Sequence, residues 1–487
     1  MIRIGSLIFS GIWLVLLYFR LPHLIWHSGV LMAWFTDRGL IMYKDFLNFY
    51  FPLSTYFVLP FFKITDWNLE TEPILSLAIA LLTLILIFKT ATRFLSPLGT
   101  SLSLFFFAAL FYYFTTAVQY TGEAITGLFL ILTANRILNF TKSGKKTTDI
   151  FIIGILISLT LLFNQISALS LITFSVFLLF GIFKTSEKKV FFNSFLVLTA
   201  SITLPITLIS LYFLNQNAFS DLFNNNFTYY LNYVKLARGS GNLLSLPWNE
   251  ILLFYTPAII GIYLATSLKA IPTALRFTFL LLLLVSIATI PSIIFSVFHR
   301  HHFLYALPII SLLFGIVFDI VMRSKGLFGK VAVLLAGIFI VYQVFSTVFP
   351  WYSHRILAGR NNYIANDILP GDSMNDAVIW IEEHTKTEDK LLVAGDGFFY
   401  FKAGRLPASK FFTVLPWHYK PIGQVAPVIL NNRPNYWVIS PSYLERVSSP
   451  EGWNSPEITE FIRADLNGCY QLAITFPDWE IWQKSCL

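Results

Sequence analysis

Charge is scarce in this chain. Only 12% of its 487 residues are Asp, Glu, Lys or Arg, about half of the roughly 25% that an average soluble domain carries. So few charges exclude an ordinary water-soluble globule. Cysteine is rarer still: Cys469 and Cys486 are the only two, both near the C-terminal end. They form one disulfide if that end faces an oxidising compartment, or stay two free thiols. No Walker or dinucleotide-type glycine motif occurs. The long apolar runs hold almost no ionisable side chains. Asp319 is the one acid well inside a predicted span, and it lies near the cytoplasmic end. A proton-driven pump needs intramembrane acids or bases as a relay, so that class is disfavoured. Internal repeats, heptads and low-complexity segments are absent.

What is present is apolar. Hydrophobic residues make up 56% of the chain, Phe alone occurs 50 times, and the mean hydropathy is +0.67. Apolar stretches of about 18 or more residues recur up to residue 350, each long enough to cross a hydrocarbon core of about 30 Å as a helix. About eleven spans are predicted, near 4–21, 73–92, 99–118, 123–140, 149–163, 167–183, 190–214, 250–267, 274–298, 303–322 and 330–349. The first has Arg3 before it and no small-residue cleavage site after it, so it reads as a retained span. With a cytoplasmic N-terminus, Arg93, Arg136, Lys145, Lys146, Lys188 and Lys189 fall in short inside connections, as the positive-inside rule requires. The formal net charge of +8 therefore reports orientation and implies no nucleic-acid partner. An odd number of spans puts everything after residue 350 outside.

Composition changes in that tail. Residues 373–386 have helical spacing, with Ser373 as the N-cap. "KLLVAG" (390–395) and "YWVISP" (436–441) read as buried strands, 455–466 as a helix, and "CYQLAITF" and "WEIWQK" as further strands. The expected fold class is a polytopic α-helical membrane protein with a C-terminal external α/β domain. The domains are 1–350, transmembrane, and 351–487, non-cytoplasmic.

The polar groups that remain gather at the outer boundary. They are Asp37, Arg38, Lys44 and Asp45 in the first loop, Glu123 at the start of the fourth span, and "HRHH" (299–302). Basic groups can hold a phosphate, and a carboxylate can take a proton from an acceptor hydroxyl. Together they suit a substrate with a phosphate head, a polar reacting group and a lipid tail. Each residue also has a plain structural reading. Asp45 is then an interface acid paired with Lys44 or Lys63, and Asp37 caps a helix beside Arg38. Glu123 simply begins a span, where a negative charge suits the helix N-terminus, and Arg300 snorkels. Tyr43, Phe49, Tyr50 and Tyr56 suit an interfacial aromatic belt. His299, His301 and His302 have the side chains of metal ligands, but near-consecutive residues rarely converge on one ion. No metal ligand is assigned, and a divalent metal requirement stays open. The stretch 39–57 reads as a membrane-surface helix, its charged front facing an external cavity and its aromatics in the headgroup zone.

"GLIMYKDFLNFYFPLSTYF" (39–57) resembles the first external loop of GT-C glycosyltransferases, multispan enzymes that use polyprenyl-phosphate-linked sugars. Gly39, Tyr43, Lys44, Asp45, Phe46, Pro52, Leu53 and Tyr56 follow that pattern. "HRHHFLYALPIISLLFGI" (299–316) resembles a second family stretch through Arg300, His302, Tyr305 and Pro308. "YTGEAITGLFLIL" (120–132) resembles a third through Glu123, and "AGRLPASKF" (403–411) resembles a segment of the external tail. The likeness is to protein O-mannosyltransferases and aminoarabinose transferases, and more closely to uncharacterised bacterial members. It implies an integral-membrane hexosyl- or pentosyltransferase that inverts the anomeric centre. Its donor is a polyprenyl-phosphate sugar, its acceptor a glycan, lipid or protein, and membrane lipids surround it. The resemblance makes Asp45, Asp37 and Glu123 catalytic candidates. It makes Lys44, Tyr43, Arg300, His302 and Tyr305 substrate-binding ones. The acidic pair of many relatives is missing from residues 24–34, so the base falls to Asp45 or Asp37. A lipid-linked glycan flippase and a non-catalytic scaffold of the same fold are the alternatives.

Overall fold

A computed structural model describes residues 1–25, 29–48, 50–115, 117–140, 146–185, 187–229, 231, 248–266, 271, 273–295, 299–323, 331, 337–338, 340, 342–358, 372–414, 419, 422–449 and 454–486. The predicted spans reappear as helices. They are α1 (Ile2–Arg20), α4 (Thr71–Ala91), α5 (Pro97–Thr115), α6 (Gly122–Phe140), α7 (Thr147–Phe163), α8 (Ala168–Thr185) and α9 (Lys188–Asn215). The series continues with α11 (Trp248–Ala265), α12 (Thr273–Phe295) and α13 (Leu307–Arg323). Much of the last predicted span, 330–349, lies outside the described residues, and the chain then continues as α14 (Phe349–Ala358). Among the described helices, 7 are long and apolar enough to cross a membrane by length and composition alone. The protein is a polytopic helical membrane protein.

Apolar side chains all round a helix do not reveal its neighbours; close backbone approaches do. On α9 the residues Phe192, Leu204, Leu208 and Leu211 stay exposed, as a lipid-facing surface should. α5 and α13 cross closely because both carry glycine at the contact: a Cβ on Gly315 would sit 2.4 Å from the Gly99 carbonyl oxygen. Asp319 secures the same crossing, accepting the Ser96 amide N–H at 2.5 Å. That intramembrane acid therefore ties two helices together at one end.

The C-terminal sheet has the order β1-β2-β4-β3, built from Leu391–Ala394, Tyr436–Ile439, Tyr470–Thr475 and Glu480–Lys484. β1 and β2 are parallel, and β4 runs antiparallel to both β2 and β3. β1 and β2 are buried throughout, which is why each reads as an unbroken apolar run. Around them lie α15 (Asp372–His384), α16 (Phe398–Ala403), α17 (Ile422–Asn431), α18 (Pro441–Ser448) and α19 (Pro456–Cys469). Ser373 is inside α15, not its cap, and its hydroxyl donates to Asp478 at 2.6 Å. The helix starts one residue earlier, at Asp372. Cys469 and Cys486 form a disulfide, their Cα atoms 4.8 Å apart.

The opening stretch differs from the surface helix read from its sequence. α2 (Val30–Asp37) ends before it, and α3 (Leu53–Ile64) begins only after Pro52. Between them the chain turns tightly, with Gly39 at φ +86° and Tyr43 at φ +71°. Left-handed backbone at these two points breaks a helix. Of the aromatics in this stretch, Phe49 lies outside the described residues. Phe35, Tyr43 and Phe46 share one apolar cluster with Ala377, Ile381, Tyr400 and Trp479 of the C-terminal layer. Periodicity could not show this, because the burying partner lies more than 300 residues further along the chain.

Candidate active site

Glu123 occupies the first turn of α6, where the helix dipole favours an acid. It is buried, and its Oε1 accepts the Asn164 amide at 2.9 Å. Asn164 follows α7, and its own side-chain oxygen accepts the Ile166 N–H at 3.0 Å, which holds the donor in place. Tyr50, from the first loop, lies against Gly122: a Cβ there would be 3.1 Å from the ring. Its hydroxyl reaches toward the Glu123 carboxylate.

The turn Arg300–Phe303 is a 3-10 segment leading into α13. It approaches α6 closely because residue 127 is glycine: a Cβ there would lie 2.8 Å from the Leu304 carbonyl oxygen. This contact brings His301 and His302 to Glu123. One ligand atom from each of the three residues lies within 4.8 Å of the others. Burial pushes the His301 imidazole down to about 3 and lowers His302 as well. His301 lies 4.0 Å from Glu123, an ion pair only when the imidazole is protonated, which burial disfavours. Neutral imidazoles keep a lone pair for a metal, and two histidines with a glutamate form a donor set suited to zinc-like cations. Consecutive histidines do converge here, because the tight turn points both toward α6. The residues present fit a divalent cation.

Arg300 leaves the same turn on another side. Its Nη2 meets Glu250 Oε1 at 2.6 Å, and its Nε donates to Oε2 at 3.1 Å. Tyr113 donates to the same carboxylate at 3.0 Å, and the guanidinium lies 5.3 Å from the centre of its ring. Glu250, in the first turn of α11, is 4% exposed. Sequence reasoning did not single out this residue. The one available signal was an acid at the head of an apolar helix, the same signal that marked Glu123.

The other candidates divide into two groups. Tyr305 is buried, with its hydroxyl donating to the Thr289 carbonyl at 3.3 Å. Tyr43 is also buried, and it donates to the Tyr50 carbonyl at 2.7 Å, one link from Glu123. Asp45 Oδ2 accepts the Ile41 N–H at 2.7 Å. Lys44 donates to the Gln216 carbonyl at 3.2 Å, and Asp37 pairs with Lys63 at 2.8 Å. Glu123 and His302 are thus brought together, with Arg300 beside them, while Asp37, Lys44 and Asp45 bond within the first loop and its cover.

No family model matches this chain, and no curated protein matches it. Solved structures do. An oligosaccharyltransferase from Archaeoglobus fulgidus aligns over 99% of this chain and 74% of its own, at 13% identity and a TM-score of 0.57. ArnT from Cupriavidus metallidurans, bound to undecaprenyl phosphate, aligns over 99% of this chain and 97% of its own, at 12% identity and a TM-score of 0.55. The arabinofuranosyltransferase AftD from Mycobacteria aligns over 100% of this chain and 42% of its own, at 12% identity and a TM-score of 0.50. The chain shares the overall fold of these solved structures.

Proposed function

We propose that the protein is an integral-membrane glycosyltransferase. It moves a hexose or pentose from a polyprenyl-phosphate donor to a glycan, lipid or protein acceptor on the non-cytoplasmic face, with inversion. The observation that carries this reading is the convergence of Glu123, His301 and His302 beside the Arg300–Glu250 pair, on a GT-C scaffold. The Cys469–Cys486 disulfide and the basic inside connections support a non-cytoplasmic C-terminal domain, residues 351–487.

In this mechanism Asp45 is the general base. The Ile41 N–H fixes one of its oxygens, so the carboxylate is held in a single orientation. The acceptor hydroxyl gives its proton to Asp45, its oxygen bonds to the anomeric carbon, and the bond from that carbon to the phosphate oxygen breaks. Polyprenyl phosphate leaves with the electron pair. Arg300 and Lys44 hold the charge of that phosphate, and Tyr43 and Tyr305 keep the walls of the site in place. Glu123, His301 and His302 would hold a divalent cation, which when bound adds Lewis-acid stabilisation of the leaving group. Asp37, already neutralised by Lys63, is the reserve base.

The test uses purified protein in liposomes with a panel of undecaprenyl-phosphate sugars and a cell-envelope acceptor extract. Release of free undecaprenyl phosphate that disappears in Asp45→Asn or Glu123→Gln supports the transferase. Labelled donor that crosses the bilayer without release makes the protein a flippase. Saturable donor binding with neither outcome makes it a scaffold.

A further inference from the structure

Asn225 and Asn226 belong to a π-helical turn, Asn224–Tyr229, that continues α10 (Phe219–Phe223) and covers the first loop. They are 1% and 3% exposed. Their orientation follows from their partners. Asn225 Nδ2 donates to the Asn48 carbonyl, and Asn226 Nδ2 donates to the Leu222 carbonyl at 2.9 Å. A carbonyl only accepts, so each amide nitrogen must face it and each Oδ1 must point elsewhere. Neither Oδ1 has a hydrogen-bond partner among the described residues. Folded proteins keep few unmet buried acceptors, and π-helical turns are frequent at functional sites. Two such acceptors on consecutive residues, unmet among the described residues, are placed to accept hydrogen bonds from a ligand.

The surroundings indicate what kind of donor. Asn48 bonds Thr55 at 3.1 Å and accepts the Tyr50 N–H at 3.2 Å. Asn226 sits beside the Tyr43 hydroxyl, which itself bonds the Tyr50 carbonyl. Tyr50 in turn lies on the first turn of α6, next to Glu123. The two free acceptors therefore belong to a neutral amide and hydroxyl network that ends at the candidate active site. No carboxylate sits among Asn48, Thr55, Tyr43, Asn225 and Asn226 to balance a buried ammonium group. Hydroxyl groups match these neutral acceptors better than an ammonium group, whose counter-charge would have to come from Glu123 at the end of the network.

We infer that Asn225 and Asn226 recognise the glycosyl unit of the donor by accepting hydrogen bonds from its hydroxyls, so the transferred group is a neutral, polyhydroxylated sugar. This rests on the transferase reading above and adds the substrate class.

The test measures Kd for the full-length protein in lipid nanodiscs. The probes are undecaprenyl phosphate and undecaprenyl phosphate carrying glucose, arabinose or 4-amino-4-deoxyarabinose. Wild type binds at least one neutral glycosylated lipid more tightly than the bare phosphate. Asn225→Ala and Asn226→Ala each reduce that increment several-fold to roughly tenfold, with the Kd for undecaprenyl phosphate unchanged. Where an alanine variant fails to fold, Asn→Leu at the same position, similar in volume, carries the comparison. Retention of the full increment in both variants overturns the inference. So does the absence of any increment in wild type, an increment for the amino sugar alone, or an equal loss of bare phosphate binding in the variants. Failure of wild type to bind any of the lipids is a separate result, and it removes the transferase reading itself.

Discussion

The guanidinium of Arg300 and the carboxylate of Glu250 meet side-on, with Nη2 to Oε1 at 2.6 Å and Nε to Oε2 at 3.1 Å. Arg300 is 38% exposed at its side chain while Glu250 is 5% exposed, so the acid is the buried anchor and the arginine the accessible end. The cation proposed to meet the leaving phosphate is therefore already half neutralised before the donor arrives. Its planar fork is held in one orientation by Glu250 and the ring of Tyr113.

Glu250→Gln is expected to tighten undecaprenyl phosphate binding and to lower thermal stability. Removing the carboxylate frees the guanidinium for phosphate. It also breaks a hydrogen-bonded charge pair, at a cost of about 1–3 kcal/mol for a partly exposed partner. Arg300→Ala should weaken the same binding roughly tenfold, the scale of one charge-assisted hydrogen bond. Equilibrium binding and melting curves on the two variants check both signs, and weaker phosphate binding in Glu250→Gln would refute the competition.

Purified wild-type protein is expected to carry about one equivalent of a divalent cation. His301→Ala and His302→Ala should each lose it, because a donor set of Glu123 and two histidines cannot hold the ion on two ligands. Elemental analysis by mass spectrometry reads the content directly and needs no activity. Chelation should then suppress undecaprenyl phosphate release, with restoration on adding the ion back.

The two carboxylates differ in prediction. Asp45→Asn should reduce transfer about 10²–10⁴-fold, the usual contribution of a general base, while cation content stays intact. Glu123→Gln should reduce transfer and cation content together. If transfer survives in Asp45→Asn, the base moves to Asp37, and Asp37→Asn becomes the decisive variant.

Cys469→Ser should loosen the end of the C-terminal layer. The disulfide closes a loop with a sequence separation of 17, for which chain-entropy arguments give about 3 kcal/mol. Limited proteolysis of the full-length protein under oxidising and reducing conditions reports the change. A digestion pattern indifferent to reduction would show that β3 and β4 hold that end without the bridge.

Several elements were legible in the sequence because the signal was local. The four strands of the tail and the helices 373–386 and 455–466 announced themselves through short apolar runs bounded by turn residues, and they differ from the structure by a residue or so at most ends. The membrane helices followed from length and apolarity. Glu123 stood out as an acid at the head of an apolar run, and Arg300 and His302 as charged or polar groups in an apolar setting. Glu250 carried the same local signal and was passed over. His301 was visible too, but adjacent ligands on a chain are usually splayed apart. Only the approach of α6 at Gly127 turns His301 and His302 onto one carboxylate.

Composition, hydropathy and charge placement by themselves determined that this chain spans the membrane many times and carries an α/β layer after the spans. Those properties depend on neighbours within a few turns, and lipid acts on them one segment at a time. The tertiary structure alone decided that Leu31, Phe35, Tyr43 and Phe46 are buried against the C-terminal layer, and that Asp45 holds a turn while Asp37 holds Lys63. It also decided that Asn225 and Asn226 face inward with oxygens unmet among the described residues. Each of these depends on contacts between segments far apart in the chain. Such contacts leave no period in either segment, because whether a polar atom is satisfied is settled only by what is packed against it.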